Sequence, residues 1–211
     1  MILSDVDIRQ FMADRDIVIS NFSGELEPAS YDLRVGKEAV AQDGVVNIEE
    51  KKYAKIPRGA TVVIYPYEQI KLSTKVAARY GLRSRFARKG LILLSGPQID
   101  PGFEGTLSVT IFNAGTSEVV LGYQEKFVTI EFFLLKTPAS RPYSGPYQGQ
   151  TSISSEEAAL LTKEYKNFSE IEDAIAKFQG DIDNIKNFVY VVLFGIIVGA
   201  VIVILQELIF K

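Results

Sequence analysis

Short stretches of alternating apolar and polar residues fill most of the first 135 positions of the chain. At 107–111, Leu107, Val109 and Ile111 share one face, and Ser108 and Thr110 share the other. Alternation with a period of two is typical of a half-buried β-strand. Because glycine, proline, asparagine and aspartate separate the stretches, a mainly β fold is predicted, a sandwich or jelly-roll-like barrel. The predicted strands are 17–19, 31–35, 45–48, 61–65, 69–72, 107–111 and 126–135.

One short helix is predicted ahead of these strands, at 4–13. Ser4 followed three residues later by Asp7 resembles a capping box, in which the two side chains bond each other's backbone N–H groups. Val6, Ile8 and Phe11 give the segment an apolar side.

A different pattern begins near residue 152. Apolar residues recur at alternating steps of three and four, the heptad spacing of a coiled coil. They are Phe168, Ile171, Ile175, Phe178, Ile182, Ile185 and Val189. Isoleucine at both core positions favours more than two strands, so a helical stalk over 152–187 is predicted to join three copies of the chain. The alternative is an amphipathic helix that packs on its own domain.

The heptads lead into 18 uncharged, mostly apolar residues at 188–205. A helix rises about 1.5 Å per residue, and about 20 residues cross the hydrocarbon core of a bilayer. Residues 188–206 are therefore predicted to form a single transmembrane helix near the C-terminus that contacts membrane lipid. Lys177 and Lys186 precede it and Lys211 follows it, which favours a cytoplasmic N-terminal domain.

Composition excludes several kinds of chemistry. The 211 residues include no cysteine and no histidine, and the net charge is −3. Disulfides, thiol nucleophiles, histidine bases and the zinc sites of the zinc-dependent cytidine deaminases are therefore ruled out. The acidic balance gives no reason to expect a nucleic-acid partner. Any metal has to be oxygen-bound, and Mg²⁺ held through substrate phosphates is the expected cofactor.

The candidate chemistry lies between residues 83 and 113. Arg83, Arg85 and Arg88 surround Ser84, and guanidinium groups match the oxygens of a multiply charged phosphate. Farther on, Asp100 precedes a Pro-Gly turn and the aromatic Phe103, which suggests a positioned base or an acceptor for a sugar hydroxyl. The alternative is a solvated basic face followed by a simple turn, with Asp100 bonding its own backbone.

These residues resemble a known superfamily. RSRFARKGL at 83–91, IDPGFEG at 99–105, PASYDLR at 28–34 and YQGQ at 147–150 occur in the order and at the spacing of the dCTP deaminase and dUTPase superfamily. The resemblance covers residues 1–151, which are predicted to form a nucleotide-binding domain. It implies the distorted jelly roll of that superfamily, assembled as a trimer with sites between subunits.

The resemblance also implies roles for individual residues. Asp100 corresponds to the aspartate that activates water in dUTPases, and Phe103 to the aromatic that packs under the deoxyribose. The phosphate loop and the loop that closes over the nucleotide supply most of the other contacts. The full set of predicted nucleotide-binding residues is Arg83, Ser84, Arg85, Arg88, Phe103, Ser108, Thr110, Tyr143, Tyr147 and Gln150.

Several positions depart from the superfamily pattern. Thr110 stands where dCTP deaminases carry the glutamate that shuttles a proton, and a hydroxyl does not titrate near neutral pH. Arg85 replaces a small residue, and either clamps phosphate or fills the pocket. Thr129 replaces a glutamine that contacts phosphate in dUTPases, and Pro146 replaces a lysine. Asp32 either supports the site or pairs structurally with an arginine such as Arg34.

Three functions follow as hypotheses. The first is a membrane-anchored trimeric hydrolase that converts dUTP to dUMP and pyrophosphate with Mg²⁺, using Asp100. The second is a binding or scaffold protein that has kept the fold and lost catalysis. The third is dCTP deamination, which Thr110 argues against.

Overall fold

The structure is a computed structural model that describes the backbone of residues 1–41, 44–153 and 155–209. Within the last of these ranges it describes the side chains of residues 158, 159 and 174–205. The contacts between Cα atoms divide the chain into two units, Met1–Lys166 and Asn167–Lys211. The side chains of Phe168 and Ile171 lie outside the described residues, so the heptad prediction is not tested at these two positions.

The first unit is mainly β, as the alternation predicts. Its helices are α1 at Asp5–Ala13, α2 at Ile48–Lys51 and α3 at Ser84–Ala87. Its strands are β1 Ile17–Ile19, β2 Tyr31–Ala41, β3 Gly44–Asn47, β4 Tyr53–Ile56, β5 Thr61–Pro66, β6 Ile70–Leu72, β7 Val76–Leu82, β8 Leu91–Leu93, β9 Gln98–Ile99, β10 Glu104–Gly105, β11 Val109–Asn113, β12 Val119–Gly122 and β13 Lys126–Leu134.

The described strands form three antiparallel sheets. The largest has eight strands in the order β8-β11-β5-β2-β13-β7-β9, with β3 beside β2. A three-stranded sheet runs β1-β6-β10, and β12 pairs with β4. Consecutive strands are seldom neighbours, so residues far apart in the sequence meet along the large sheet.

The two faces of the large sheet have different surroundings. Ile111, Val62 and Ile64 turn into the main hydrophobic core, where their side chains are almost fully buried. Thr110, Val63 and Val40 are paired directly across β11, β5 and β2, so they share the opposite face. We call this opposite face the outer face of the large sheet.

Helix α1 begins as the sequence predicts. The hydroxyl of Ser4 accepts a hydrogen bond from the Asp7 backbone N–H at 3.2 Å, and the Asp7 carboxylate accepts one from the Ser4 backbone N–H at 3.0 Å. Both bonds of a capping box are therefore present. They also hold the pKa of Asp7 below its usual value, because each stabilises the ionised carboxylate.

Substituting Ser4→Ala is expected to lower the free energy of unfolding by about 1 kcal/mol, because a backbone N–H at the helix start loses its partner. Urea denaturation followed by tyrosine fluorescence measures the change. Ser140→Ala is the control, since Ser140 is exposed in the loop after β13 and caps no helix. Equal denaturation midpoints for the two variants would contradict the expectation.

Six strands escape the sequence prediction, and one is much longer than predicted. The strands β4, β7, β8, β9, β10 and β12 were not predicted, because their alternation is short or involves small residues. Strand β2 continues to Ala41, well past the predicted end at residue 35. Val35 and Gly36 are both buried, which breaks the alternation on which the prediction depends.

A single helix, α4 at Ser155–Ile209, follows the β domain. Its segment Ala174–Leu205 is long and apolar enough to cross a membrane, by length and composition. The described heptad residues from Ile175 to Val189 are exposed in the single chain. The mainly β fold with a long C-terminal helix is thus confirmed, whereas the coiled coil, the membrane span and the domain limits at 151 and 187 stay predictions.

Candidate functional site

A cavity of about 450 Å³ opens on the outer face of the large sheet. Strands β5, β7, β9 and β11 supply part of its wall, and the segments 95–96 and 106–108 and the loop that leads to α4 supply the rest. Most of its lining side chains are polar and uncharged. These polar residues are Tyr80, Ser95, Gln98, Thr106, Ser108, Thr110, Tyr147 and Gln150.

Hydrogen bonds hold the wall of this cavity in place. The Tyr80 hydroxyl donates to Ser95 Oγ at 3.0 Å, and the same Ser95 oxygen accepts from the Thr110 backbone N–H at 3.3 Å. On the other side, Ser108 Oγ donates to the Tyr65 hydroxyl oxygen at 3.0 Å. The strands on either side of Thr110 are therefore tied together through side chains as well as through the sheet.

The cavity lining carries no formal charge at neutral pH. Burial raises the pKa of Tyr80 above its ordinary value, so its hydroxyl keeps its proton. Thr110, which the sequence resemblance matched to the deaminase glutamate, is half-buried and contributes only a hydroxyl. A ligand in this cavity therefore meets hydrogen-bonding groups and no ionised side chain of the lining.

The loop at 141–151 folds back onto the turn at 100–105. Hydrogen bonds and a contact between two aromatic rings fasten it. The Tyr143 backbone N–H donates to the Pro101 carbonyl at 2.8 Å, and the rings of Phe103 and Tyr143 meet edge to face with centroids 5.7 Å apart. The Gly149 N–H donates to the Glu104 carbonyl, and the Thr106 N–H donates to the Gln150 carbonyl, each at 2.7 Å.

This close approach depends on Gly105. Its φ of +151° lies in a region that favours glycine, and a Cβ built there would stand 2.8 Å from the Gln150 carbonyl oxygen. Glycine therefore lets the backbone of the loop lie directly against the end of β10, with the side chains of Tyr147 and Gln150 at the cavity.

Asp100 lies outside the cavity but close to it. Its carboxylate is exposed and accepts a hydrogen bond from Gln98 Nε2 at 2.7 Å, and Gln98 lines the cavity. The predicted catalytic carboxylate of Asp100 thus contacts the lining residue Gln98 but is not itself part of the lining.

The segment 83–88, which carries Arg83, Arg85 and Arg88 and which we call the arginine loop, does not contribute to the cavity lining. Arg83 pairs with the buried Asp32 at 3.4 Å, and Thr129 Oγ1 donates to the other Asp32 oxygen at 2.7 Å. Asp32 thus pairs with an arginine, as one of its two interpretations expected, but that arginine is Arg83 and not the suggested example, Arg34. Arg34 instead forms an ion pair with the buried carboxylate of Glu68, whose oxygen lies 2.7 Å from Arg34 Nε.

Within one chain, the contacts of Arg85 match neither of its two predicted roles. Its side chain is half exposed, forms an ion pair with Glu125, and places its guanidinium carbon 4.5 Å from the centre of the Phe86 ring. It does not line the cavity, so it does not fill it. Ser84 and Arg88 are exposed on the same loop.

The structure thus brings together only some of the predicted residues. Ser108, Thr110, Tyr147 and Gln150 share the cavity, and Phe103 and Tyr143 pack together beside it. The arginine loop residues do not reach the cavity lining. We infer from this separation that one chain alone does not bring the phosphate loop to the cavity.

A comparison with protein families decides the family. A model described as dCTP deaminase-like matches residues 2–135, more than half of the chain. The chain belongs to the dCTP deaminase-like family. The resemblance read from the sequence motifs is confirmed.

Relatives of the family agree with this assignment. A dCTP deaminase of Thermococcus sibiricus is 43% identical over 154 residues, which cover 72% of this chain and 95% of the relative. A probable deoxyuridine 5′-triphosphate nucleotidohydrolase of Sulfolobus islandicus rod-shaped virus 1 is 34% identical, covering 72% of this chain and 96% of that protein.

A solved structure supports the fold. The 2′-deoxycytidine 5′-triphosphate deaminase from Agrobacterium tumefaciens matches with a TM-score of 0.54 at 20% identity. The match covers 63% of this chain and 47% of that one, so the chain spans about half the length of that enzyme. At this identity the likeness concerns the fold.

Four polar lining residues were not predicted from the sequence. They are Tyr80, Ser95, Gln98 and Thr106. A signal for Tyr80 exists in the alternation of Val76, Ala78 and Tyr80, which are all buried on β7. Ser95 follows edge strand β8 and Gln98 lies on the two-residue strand β9, and no local pattern predicts either strand.

Proposed function

We propose that this family member is a membrane-anchored, trimeric protein that binds deoxynucleoside triphosphates such as dCTP or dUTP without deaminating them. The observation that carries the proposal is the cavity around Thr110, whose lining side chains are mostly polar and all uncharged. Such a lining suits the base and the sugar of a nucleotide, which present hydrogen-bonding groups and no charge.

The same lining argues against deamination. Replacing an amino group by a hydroxyl requires a group that accepts a proton from water and delivers one to the leaving amine. Thr110 does not titrate near neutral pH, and burial keeps the proton on Tyr80. The described lining supplies no carboxylate in their place.

The phosphates of a nucleotide require cations that the cavity lacks. Arg83, Arg85 and Arg88 lie on a loop outside the cavity of their own chain, with Arg85 and Arg88 well exposed. In a trimer, the arginine loop of a neighbouring copy would meet the phosphates while the cavity holds the nucleoside. This arrangement agrees with sites between subunits, and arginine forks match phosphate oxygens.

Magnesium would accompany the phosphates. Among the described residues, no three acidic side chains cluster closely enough to hold a metal by themselves. Mg²⁺ commonly keeps waters and binds through substrate phosphates with one or two carboxylates. Asp100 is an exposed carboxylate close to the cavity and would be the residue of this chain that meets the ion or its waters.

Membrane attachment would come from α4. Its residues 188–205 carry no charge and are exposed in the single chain, and an uncharged apolar helix of about this length is stable in a bilayer. The heptad residues before the span would join three copies, which places three nucleotide cavities at one membrane site.

Hydrolysis of dUTP is the second candidate. Asp100 is retained and exposed, its carboxylate accepts a hydrogen bond from Gln98 Nε2, and a carboxylate of this kind can orient a water. The viral relative at 34% identity carries the name of a dUTP nucleotidohydrolase. This second candidate function keeps the membrane anchor and the trimer of the first, and its products, dUMP and pyrophosphate, leave the site.

One experiment separates these functions. Detergent-solubilised full-length protein is mixed with Mg²⁺ and either dCTP or dUTP, binding is measured by calorimetry, and products are separated by chromatography. We expect saturable binding of both nucleotides, no ammonia from dCTP and no dUMP from dUTP. Release of dUMP that disappears in Asp100→Asn would establish hydrolysis, ammonia from dCTP would establish deamination, and absence of binding would overturn the proposal.

A further inference from the structure

The start of helix α4 packs on the outer face of the large sheet, directly beside the cavity. Val40, Val63, Tyr65 and Ala158 form a small buried cluster of their own, with Ile153 packed against it. Ala158 lies in the first turn of α4 and is 8% exposed. The helix is therefore anchored to the sheet at its first turn.

Two residues of this cluster also belong to the cavity wall. Val63 lines the cavity. Tyr65 is almost fully buried, and its hydroxyl oxygen accepts hydrogen bonds from Ser108 at 3.0 Å and from Gln150 Nε2 at 3.4 Å. The cavity and the seat of the helix thus share side chains.

A short segment joins the two features along the chain. Tyr147 and Gln150 line the cavity, and Ile153 and Ala158 belong to the seat of the helix. The Gln150 carbonyl is fixed by the Thr106 N–H at 2.7 Å. Movement of Gln150 away from the cavity would therefore also disturb the residues that lead into α4.

We propose that occupancy of the cavity by a deoxynucleoside triphosphate is coupled to docking of the first turn of α4 on the sheet, so that the protein senses nucleotide and reports it through this helix. The inference rests on the proposed nucleotide binding. A nucleotide that touches Tyr147 and Gln150 binds the docked loop better than a displaced one, which shifts the population towards the docked helix.

This coupling belongs to the part of the chain that the relatives lack. The Thermococcus sibiricus deaminase is matched over 95% of its length by 72% of this chain, which leaves no room in it for a helix of 55 residues. The family model likewise ends at residue 135. Helix α4 is thus an addition, and it is attached to the one loop that closes the cavity.

Coupling is reciprocal, so a change that loosens the docking of the helix must weaken the binding of nucleotide by the same factor. Ala158→Asp places a charge in the buried cluster, and Ala159→Asp is the matched control because Ala159 is exposed on the same helix. With full-length protein in detergent and Mg²⁺, we expect Ala158→Asp to weaken binding of dCTP and of dUTP by about fivefold or more. Ala159→Asp should stay close to wild type.

Hydrogen exchange on the unmodified protein gives a second test that needs no variant. Saturating nucleotide should slow exchange of the backbone amides at 159–163, the first amides of α4 that have partners within the helix. Equal affinities of the two variants, or exchange at 159–163 that nucleotide leaves unchanged, would overturn the coupling alone. Wild-type protein that binds neither nucleotide would overturn the proposed function and the coupling with it.

Discussion

Replacing Glu68 by glutamine is expected to lower the free energy of unfolding by about 3–5 kcal/mol, as removal of one partner from a buried ion pair does. The Glu68 side chain has no exposed surface and accepts three hydrogen bonds. Arg34 Nε donates at 2.7 Å, the Arg34 backbone N–H at 2.9 Å and the Tyr31 hydroxyl at 3.0 Å. An amide loses the charge opposite Arg34 and presents an NH₂ group to donors.

The comparison variant is Glu104→Gln. Glu104 pairs with Lys71 at 2.7 Å, but both side chains are 53% exposed, so water replaces the lost partner. Exposed pairs contribute about 0–1 kcal/mol. Urea denaturation of the solubilised chain, followed by tyrosine fluorescence, measures both variants. A Glu68→Gln variant that loses no more stability than Glu104→Gln would show that the buried pair is not a principal support of the β domain.

Substituting Gly105→Ala is expected to weaken nucleotide binding by about tenfold or more, because two contacts worth about 0.5–1.5 kcal/mol each would be lost. The new methyl group would stand 2.8 Å from the Gln150 carbonyl oxygen, at a φ that alanine rarely adopts. The loop at 147–150 then has to move away from β10. Tyr147 and Gln150 would leave the cavity with it.

Gly24→Ala separates this effect from backbone strain. Gly24 also has a positive φ, of +89°, but a Cβ there would meet no atom within 4 Å. Calorimetric titration with dCTP and dUTP measures affinity, and a melting curve measures stability. We expect both variants to lose some stability and only Gly105→Ala to lose affinity. A Gly105→Ala protein with wild-type affinity would show that the loop does not contribute to the site.

Local features of the fold were predictable because their causes are local. The capping box of α1 needs only Ser4 and Asp7, three residues apart, and the structure shows both of its bonds. Strand β11 was predicted because Leu107, Val109 and Ile111 alternate without interruption. By contrast, β7 contains Ala77, Ala78 and Gly81, whose small side chains give a weak pattern, and only pairing with β13 determines that it is a strand.

The site was less predictable because it is assembled across the sheet. The motifs identified Ser108, Thr110, Tyr147 and Gln150, which do share one cavity. They did not identify Tyr65, which lies 43 residues before Ser108 and meets it only because β5 pairs with β11. The sequence predicted that Asp32 could pair with an arginine but did not single out Arg83, and it did not indicate Thr129, which lies 97 residues away and is brought opposite by the pairing of β2 with β13.

The position of β13 also governs the order in which the chain gains structure. This strand pairs with β2 on one side and β7 on the other, and residues at the N-terminus bond to it, with the Leu134 N–H donating to the Met1 carbonyl at 2.8 Å. The central sheet therefore closes only after residue 134 has left the ribosome. Sheets built from such distant pairings fold in milliseconds to seconds. The apolar segment of α4 follows within a few dozen residues, so it is synthesised in the same interval in which the β domain closes.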